Sequence, residues 1–217
     1  MTATTFQSAK GTRDYAGVVL SCPVTVPYEK HSIHPAQWWV GKALEGLTKS
    51  ASVPHGSIDG LSVASFSLGP DTTIGLTQHF GLSPRFVDFL PMGGMGGIAG
   101  LRRAARAVQA GDADLVACIG ADTNAPQSFR QSLTQFSRAS QDAVYPYGAG
   151  GPNVSFALIA QGFMAETGVT RADLARLAVA GRQNARANPN ALMRLPLALE
   201  QDLAARPLAP PLHPYDR

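Results

Sequence analysis

Cysteine is scarce: two residues, Cys22 and Cys118, in a chain of 217. That is too few for a disulfide framework. Each sits in an apolar, strand-like run, the setting of a small core residue in a reducing compartment. No CxxC or HExxH spacing occurs, so a metal site is not expected. No run approaches the roughly 18 apolar residues of a membrane span, and the opening "MTATTFQSAKGTRDYAG" lacks the apolar stretch of a secretory leader. These absences lead us to expect a cytoplasmic protein without a membrane partner. Charge is also sparse, at 15% of residues, although the apolar share of 45% is ordinary. A weakly charged surface suggests cover by another chain. The net charge is only +3. Apart from Arg102, Arg103 and Arg106 the basic residues are scattered, with no basic stripe among aromatics, which argues against nucleic acid.

What the chain does contain is alternation. "GVVLSCPVTV" (17–26) is β-branched and apolar and predicts a first strand. Residues 35–51 have helical spacing of Trp39, Ala43, Leu44 and Leu47, with Pro35 at the start. Residues 58–68 and 85–90 read as strands, with a short helix between them that has Asp71 as N-cap and Gly81 past its end. "GGIAGLRRAARAVQAG" (96–111) is the clearest helix: Ile98, Leu101, Ala104, Ala105 and Val108 share a face that the arginines avoid. "DLVACIGA" (114–121) lacks polar alternation and predicts a strand buried on both faces. From 124 to 151 the text is polar with irregular aromatics, as in a lid-like excursion. Residues 152–168 read as a helix or a strand-to-helix passage. Thr170 and Asp173 form an acidic capping box for the next helix, which Asn188-Pro189 stops. The end, 195–217, is proline-rich and predicts an extended tail. The sum is an α/β fold with a mixed, mostly parallel five-stranded sheet flanked by helices, in a single domain over 1–217.

"PMGGMGGIAGL" (91–101) is laid out like an active site, yet it carries no serine, cysteine, histidine or acid. Three readings compete. Gly94, Gly96 and Ala99 satisfy the G-x-G-x-x-A dinucleotide fingerprint, with Asp122 as a late ribose-binding acid. Alternatively the turn is a tight elbow, where the free N–H groups and partial positive charge of a helix start face a ligand and suit an oxyanion. Or the glycines only permit close packing.

The stretch "GMGGIAGLRRAARAVQAGDADLVACIGAD" resembles the thiolase family, in its lipid-transfer-associated (SCP2-like) branch. So do "GVTRADLARLAVAGRQNARANPNALMR", with its Asn-Pro stop, and "ARPLAPPLHPYD". The likeness runs from about Tyr15 to the last residue. It implies the N-terminal half of a two-half α/β enzyme, with 195–217 leading toward a C-terminal half that is absent from this chain. Aligned on these motifs, the family's acyl-accepting cysteine falls on Gly94, and Gly96 and Gly97 take the Ser-Gly places. Neither Met92 nor Met95 can replace a thiol, since a thioether is a poor acyl acceptor. Losing a covalent nucleophile costs on the order of a million-fold in hydrolases, so thiolysis through this position is excluded. His213, in the connecting stretch, matches no catalytic motif and is expected to be an exposed tail histidine.

The resemblance implies a subunit of a split or auxiliary acyl-CoA enzyme that makes or breaks C–C bonds, in the manner of thiolase-like lyases and synthases that use acid–base chemistry. The oxyanion or thioester site would be Gly94, Met95, Gly96 and Gly97. Arg130 and Arg138 would meet CoA phosphates, and Tyr145 and Tyr147 would line the acyl tunnel. No permanently bound cofactor is expected; a coenzyme A thioester is the substrate or ligand. The partners implied are a second copy, a chain carrying the C-terminal half, or a small OB-fold protein. The alternatives are a non-catalytic acyl-CoA-binding or scaffolding paralogue, and a dinucleotide-binding domain.

Overall fold

The computed structural model describes residues 14–69, 72–123, 146 and 152–216. The chain divides into two compact units, Met1–Val26 with Ile33–Thr123, and Pro27–Ser32 with Asn124–Arg217.

The first unit is built on three parallel strands: β1 (Gly60–Ala64), β2 (Phe86–Leu90) and β3 (Val116–Gly120). Their order is β2-β1-β3, with Gly60 level with Phe86 on one side and Val116 on the other. Three helices flank them: α1 (Ala36–Ala51), α2 (Thr72–His79) and α3 (Gly96–Ala110). On the central strand β1, side chains alternate between the faces. Leu61 and Val63 enter a core with Val40 and Leu44 of α1 and Leu76 of α2. Ser62 and Ala64 meet α3 on the other face.

Among the described residues the sheet has three strands and is wholly parallel; the five mixed strands expected from the sequence are not found. The segment 17–26 forms no ladder. Pro23 removes a donor, and Cys22 has φ +54°, outside strand geometry. Val24 packs instead on α1, where a β-carbon on Gly46 would stand 2.7 Å from its Cγ1. β3 is also less buried than expected: as an outer strand it alternates buried Ala117 and Ile119 with half-covered Val116 and Cys118.

Helix α3 is turned differently from its apolar periodicity. Its buried residues are Gly96, Gly100, Ala104 and Ala107. The small side chains of Ser62 and Ala64 let the helix backbone come close, and only small residues fit between. A β-carbon on Gly96 would lie 3.0 Å from that of Ala64. The larger Ile98, Leu101, Ala105 and Val108 form a second stripe facing away from the sheet, with Leu101, Ala105 and Val108 half-buried and Ile98 71% exposed.

The second unit holds α4 (Pro152–Thr167), α5 (Arg171–Ala187) and α6 (Leu199–Ala204). The Thr170–Asp173 capping box forms in both directions, and Asn188 ends α5. The expected extended tail is instead folded in part. Gln201 caps α6 by accepting from Ala198 N–H at 2.9 Å, and a tight turn closes through an Ala209–Leu212 bridge. Among the described residues no helix is long and apolar enough to cross a membrane.

Candidate functional site

In a parallel sheet the strand exits share one end, where loops converge and ligands bind. Here the three exits are stitched side by side. Ser65 N–H donates to Leu90 O and Ala121 N–H to Ala64 O, each at 3.2 Å. β2 leaves into the elbow, residues 91–97, which opens α3.

Gly96 is fixed against the sheet, its N–H donating to Gly93 O at 2.8 Å. Ala99 N–H, which donates to Met95 O at 3.0 Å, closes the first turn. Met95 stands at the N-cap with no capping side chain. Among the described residues nothing accepts from the N–H groups of Gly97 and Ile98, as geometry dictates for a helix start. Gly94 and Gly97 are exposed, and an added β-carbon at either would meet nothing within 4 Å. Gly94 does not have a positive φ, so a side chain would be tolerated there. Gly94 is thus an open, unstrained position without a side chain.

Neither cysteine lies at this position: among the described residues, no side chain is within 4 Å of a β-carbon at Gly94. Cys118 sits mid-strand on β3, level with Ser62, which is level with Asp88 on β2. Burial, and then the charge of Asp88, push its thiol up to about 11. It is a neutral, half-buried thiol near pH 7. Arg103 reaches down from α3 to donate to Asp88 at 3.0 Å.

Two aspartates hold the two ends of the sheet. At the amino end Asp59 accepts from Leu115 N–H at 2.8 Å, Asp114 N–H at 3.0 Å and Arg85 Nη2 at 2.8 Å. At the carboxyl end Asp122 Oδ1 accepts from Ser65 Oγ (2.8 Å), Phe66 N–H (2.7 Å), Ser67 N–H (2.9 Å) and Ser67 Oγ (2.9 Å). An oxygen so occupied is not placed for a ribose hydroxyl, and the glycine motif follows the second strand rather than the first. Both facts weigh against the dinucleotide reading. The Asp122 knot was not foreseen: the aspartate was legible, but its partners Ser65 and Ser67 were not singled out. Their signal is a Ser-x-Ser leaving one strand beside an acid leaving another.

Of the expected site residues, Gly94, Met95, Gly96 and Gly97 therefore come together at the elbow. Arg130, Arg138, Tyr145 and Tyr147 lie outside the described residues, as does the 124–151 excursion apart from Pro146. His213 corrects an expectation, because it is buried rather than exposed. Its Nδ1 donates to Asp202 O at 2.7 Å. Arg171 pairs with the fully buried Asp202 and, at 3.2 Å, with Asp216. That cluster fastens α5, α6 and the tail to one another. Among the described residues no three His, Cys, Asp or Glu side chains converge as a metal would require.

No family model matches the chain. It is 30% identical over 185 residues to a steroid side-chain-cleaving aldolase from Thermomonospora curvata, a match covering 81% of this chain and 46% of that protein. Among solved structures it is similar to the Ltp2-ChsH2(DUF35) aldolase, with TM-score 0.67 and 25% identity over 86% of this chain and 48% of the other. The chain thus spans about half the length of each.

Proposed function

We propose that the chain is one half of an aldolase-type enzyme that cleaves or forms a C–C bond in an acyl-CoA thioester, without a covalent acyl-enzyme. The observation that carries this reading is Gly94: an open position at the head of a helix, with no side chain to acylate. A thiolase needs a thiol there; an aldolase does not. Both similar proteins bear aldolase names, which supports the second chemistry.

In the cleaving direction a base takes the proton of the β-hydroxyl, the Cα–Cβ bond breaks, and a carbonyl compound leaves. The electron pair passes to the thioester as an enolate, which is then protonated at Cα. The step is redox-neutral. The elbow's part is electrostatic. The N–H groups of Gly97 and Ile98, at the positive end of α3, would face the enolate oxygen. Among the described residues nothing lies within 4 Å of a β-carbon at Gly94, so in this reading the proton is moved by a group from the companion half. Arg130, Arg138, Tyr145 and Tyr147 remain the proposed CoA and acyl contacts.

The outward stripe of α3 supports a companion half. A helix apolar on two sides belongs between two layers, and on this outward stripe Ile98 is 71% exposed while Leu101, Ala105 and Val108 are only half-buried. That half would be a separate or fused domain.

Titration calorimetry with octanoyl-CoA, CoA and NAD tests the reading. Binding of octanoyl-CoA and CoA, with no heat from NAD, is expected. Heat from NAD alone would return the dinucleotide reading. Thioester binding without aldol cleavage once the companion half is supplied would favour the scaffolding paralogue.

A further inference from the structure

Asp122 does more than end β3. β1 is the central strand, so its exit lies between the elbow that follows Leu90 and the Asp122 carboxylate. The turn at that exit is Ser65-Phe66-Ser67. Four donors from its three residues converge on Asp122 Oδ1. Ser65 Oγ also accepts from Leu68 N–H at 3.2 Å, and Ser67 Oγ from Thr123 N–H at 3.0 Å. The backbone on either side of Phe66 is therefore pinned, with charge-assisted bonds at its centre. Yet Phe66 as a residue is 51% exposed. On the elbow side of the same end, Met92, Met95 and Ile98 are also exposed apolar side chains. Ligand sites are mostly apolar walls around a few placed polar groups; at this end the exposed side chains are apolar, and the Asp122 carboxylate is bonded to the turn that carries Phe66.

We propose that Asp122 is a positioning residue: it holds the 65–67 turn so that Phe66 forms a fixed wall of the ligand mouth and selects among acyl groups. The inference rests on the acyl-CoA reading of the elbow. Asp122 itself does not touch substrate.

The test uses the 217-residue chain with CoA, acetyl-CoA and octanoyl-CoA. The readout is the ratio of the acetyl-CoA to the octanoyl-CoA dissociation constant in wild type, Phe66→Ala, Asp122→Asn and Ser67→Ala. The ratio should change by about fivefold or more in Phe66→Ala, the scale on which apolar contacts discriminate. It should move in the same direction in Asp122→Asn and Ser67→Ala, with CoA affinity held within about twofold. Amide exchange at Phe66 and Ser67 should accelerate in Asp122→Asn. A ratio unmoved by Phe66→Ala overturns the inference alone. So does an Asp122→Asn variant that weakens every ligand equally, the mark of a merely structural role. A wild-type chain that binds none of the three overturns the reading of the elbow, and this inference with it. Ser67→Ala keeps the question open to refutation if Asp122→Asn does not fold.

Discussion

Gly100 lies against Ser62: a β-carbon on Gly100 would stand 2.9 Å from Ser62 Oγ. One turn earlier Gly96 bears on Ala64, so α3 reaches the sheet through a seam of glycines that ends at the candidate site. Close packing and an accessible helix start are thus produced by different glycines. Gly96 and Gly100 pack; Gly94 and Gly97 stay open.

That division predicts opposite outcomes at adjacent positions. Gly96→Ala crowds the Ala64 β-carbon, which only backbone movement can relieve, and should cost about 1–3 kcal/mol as overpacking does. Gly97→Ala meets nothing and should be neutral or gain up to about 1 kcal/mol. Urea unfolding of the two variants decides it. Equal effects would mean that α3 is not docked as described.

Asp59 should make the fold acid-sensitive. Burial works to raise its carboxyl, but the N–H groups of Leu115 and Asp114 and the Arg85 guanidinium outweigh it and hold it below the usual range. Its folded value is then below the unfolded value of about 3.9. The carboxylate's stabilisation is full above that unfolded value and is lost as pH falls through the folded one. Asp59→Asn should lower stability by about 1–3 kcal/mol at pH 7, and its thermal midpoint should fall less steeply than wild type below about pH 4. Parallel melting curves for the two proteins across pH would refute the role given to Asp59.

Cys118 should be inert. With its thiol near 11, the fraction ionised at pH 8 is about one in a thousand. Labelling by iodoacetamide at pH 8, followed by peptide mass mapping, should modify Cys118 at least about tenfold more slowly in the folded protein than in urea. Equal rates would show a Cys118 environment more open than the one found here.

The Arg171–Asp202 pair should be costly to break. Asp202 is fully buried, and its removal leaves a largely buried guanidinium with Asp216 alone. Asp202→Ala should lose about 3–5 kcal/mol, seen as early loss of α5 and α6 in hydrogen exchange. Wild-type protection in that variant would contradict the clamp.

Local chemistry was legible where a few neighbouring residues decide it. The Thr170–Asp173 cap, the Asn188 stop, the left-handed Gly81 and Gly111 and the order of β1, α2, β2, α3 and β3 all follow from short-range rules. Features set by distant partners were not. Apolar spacing on α3 points to Ile98 and Leu101, but the sheet chose the smaller Gly96 and Gly100, because Ser62 and Ala64 leave no room for more. Residues 17–26 have strand composition but no ladder to join among the described residues. His213 reads as a tail residue until Asp202, in a helix, is brought beside it. That Gly94 offers no side chain was legible, since an absent side chain needs no fold to be seen.

The most direct measurement restores what the elbow lacks. Gly94→Cys places a thiol where a β-carbon meets nothing, over the free N–H groups of α3. Incubated with octanoyl-CoA and read by intact-protein mass spectrometry with peptide mapping, the variant should gain one octanoyl group at residue 94, while wild type gains none. A folded Gly94→Cys protein that stays unmodified would contradict the elbow as a thioester site.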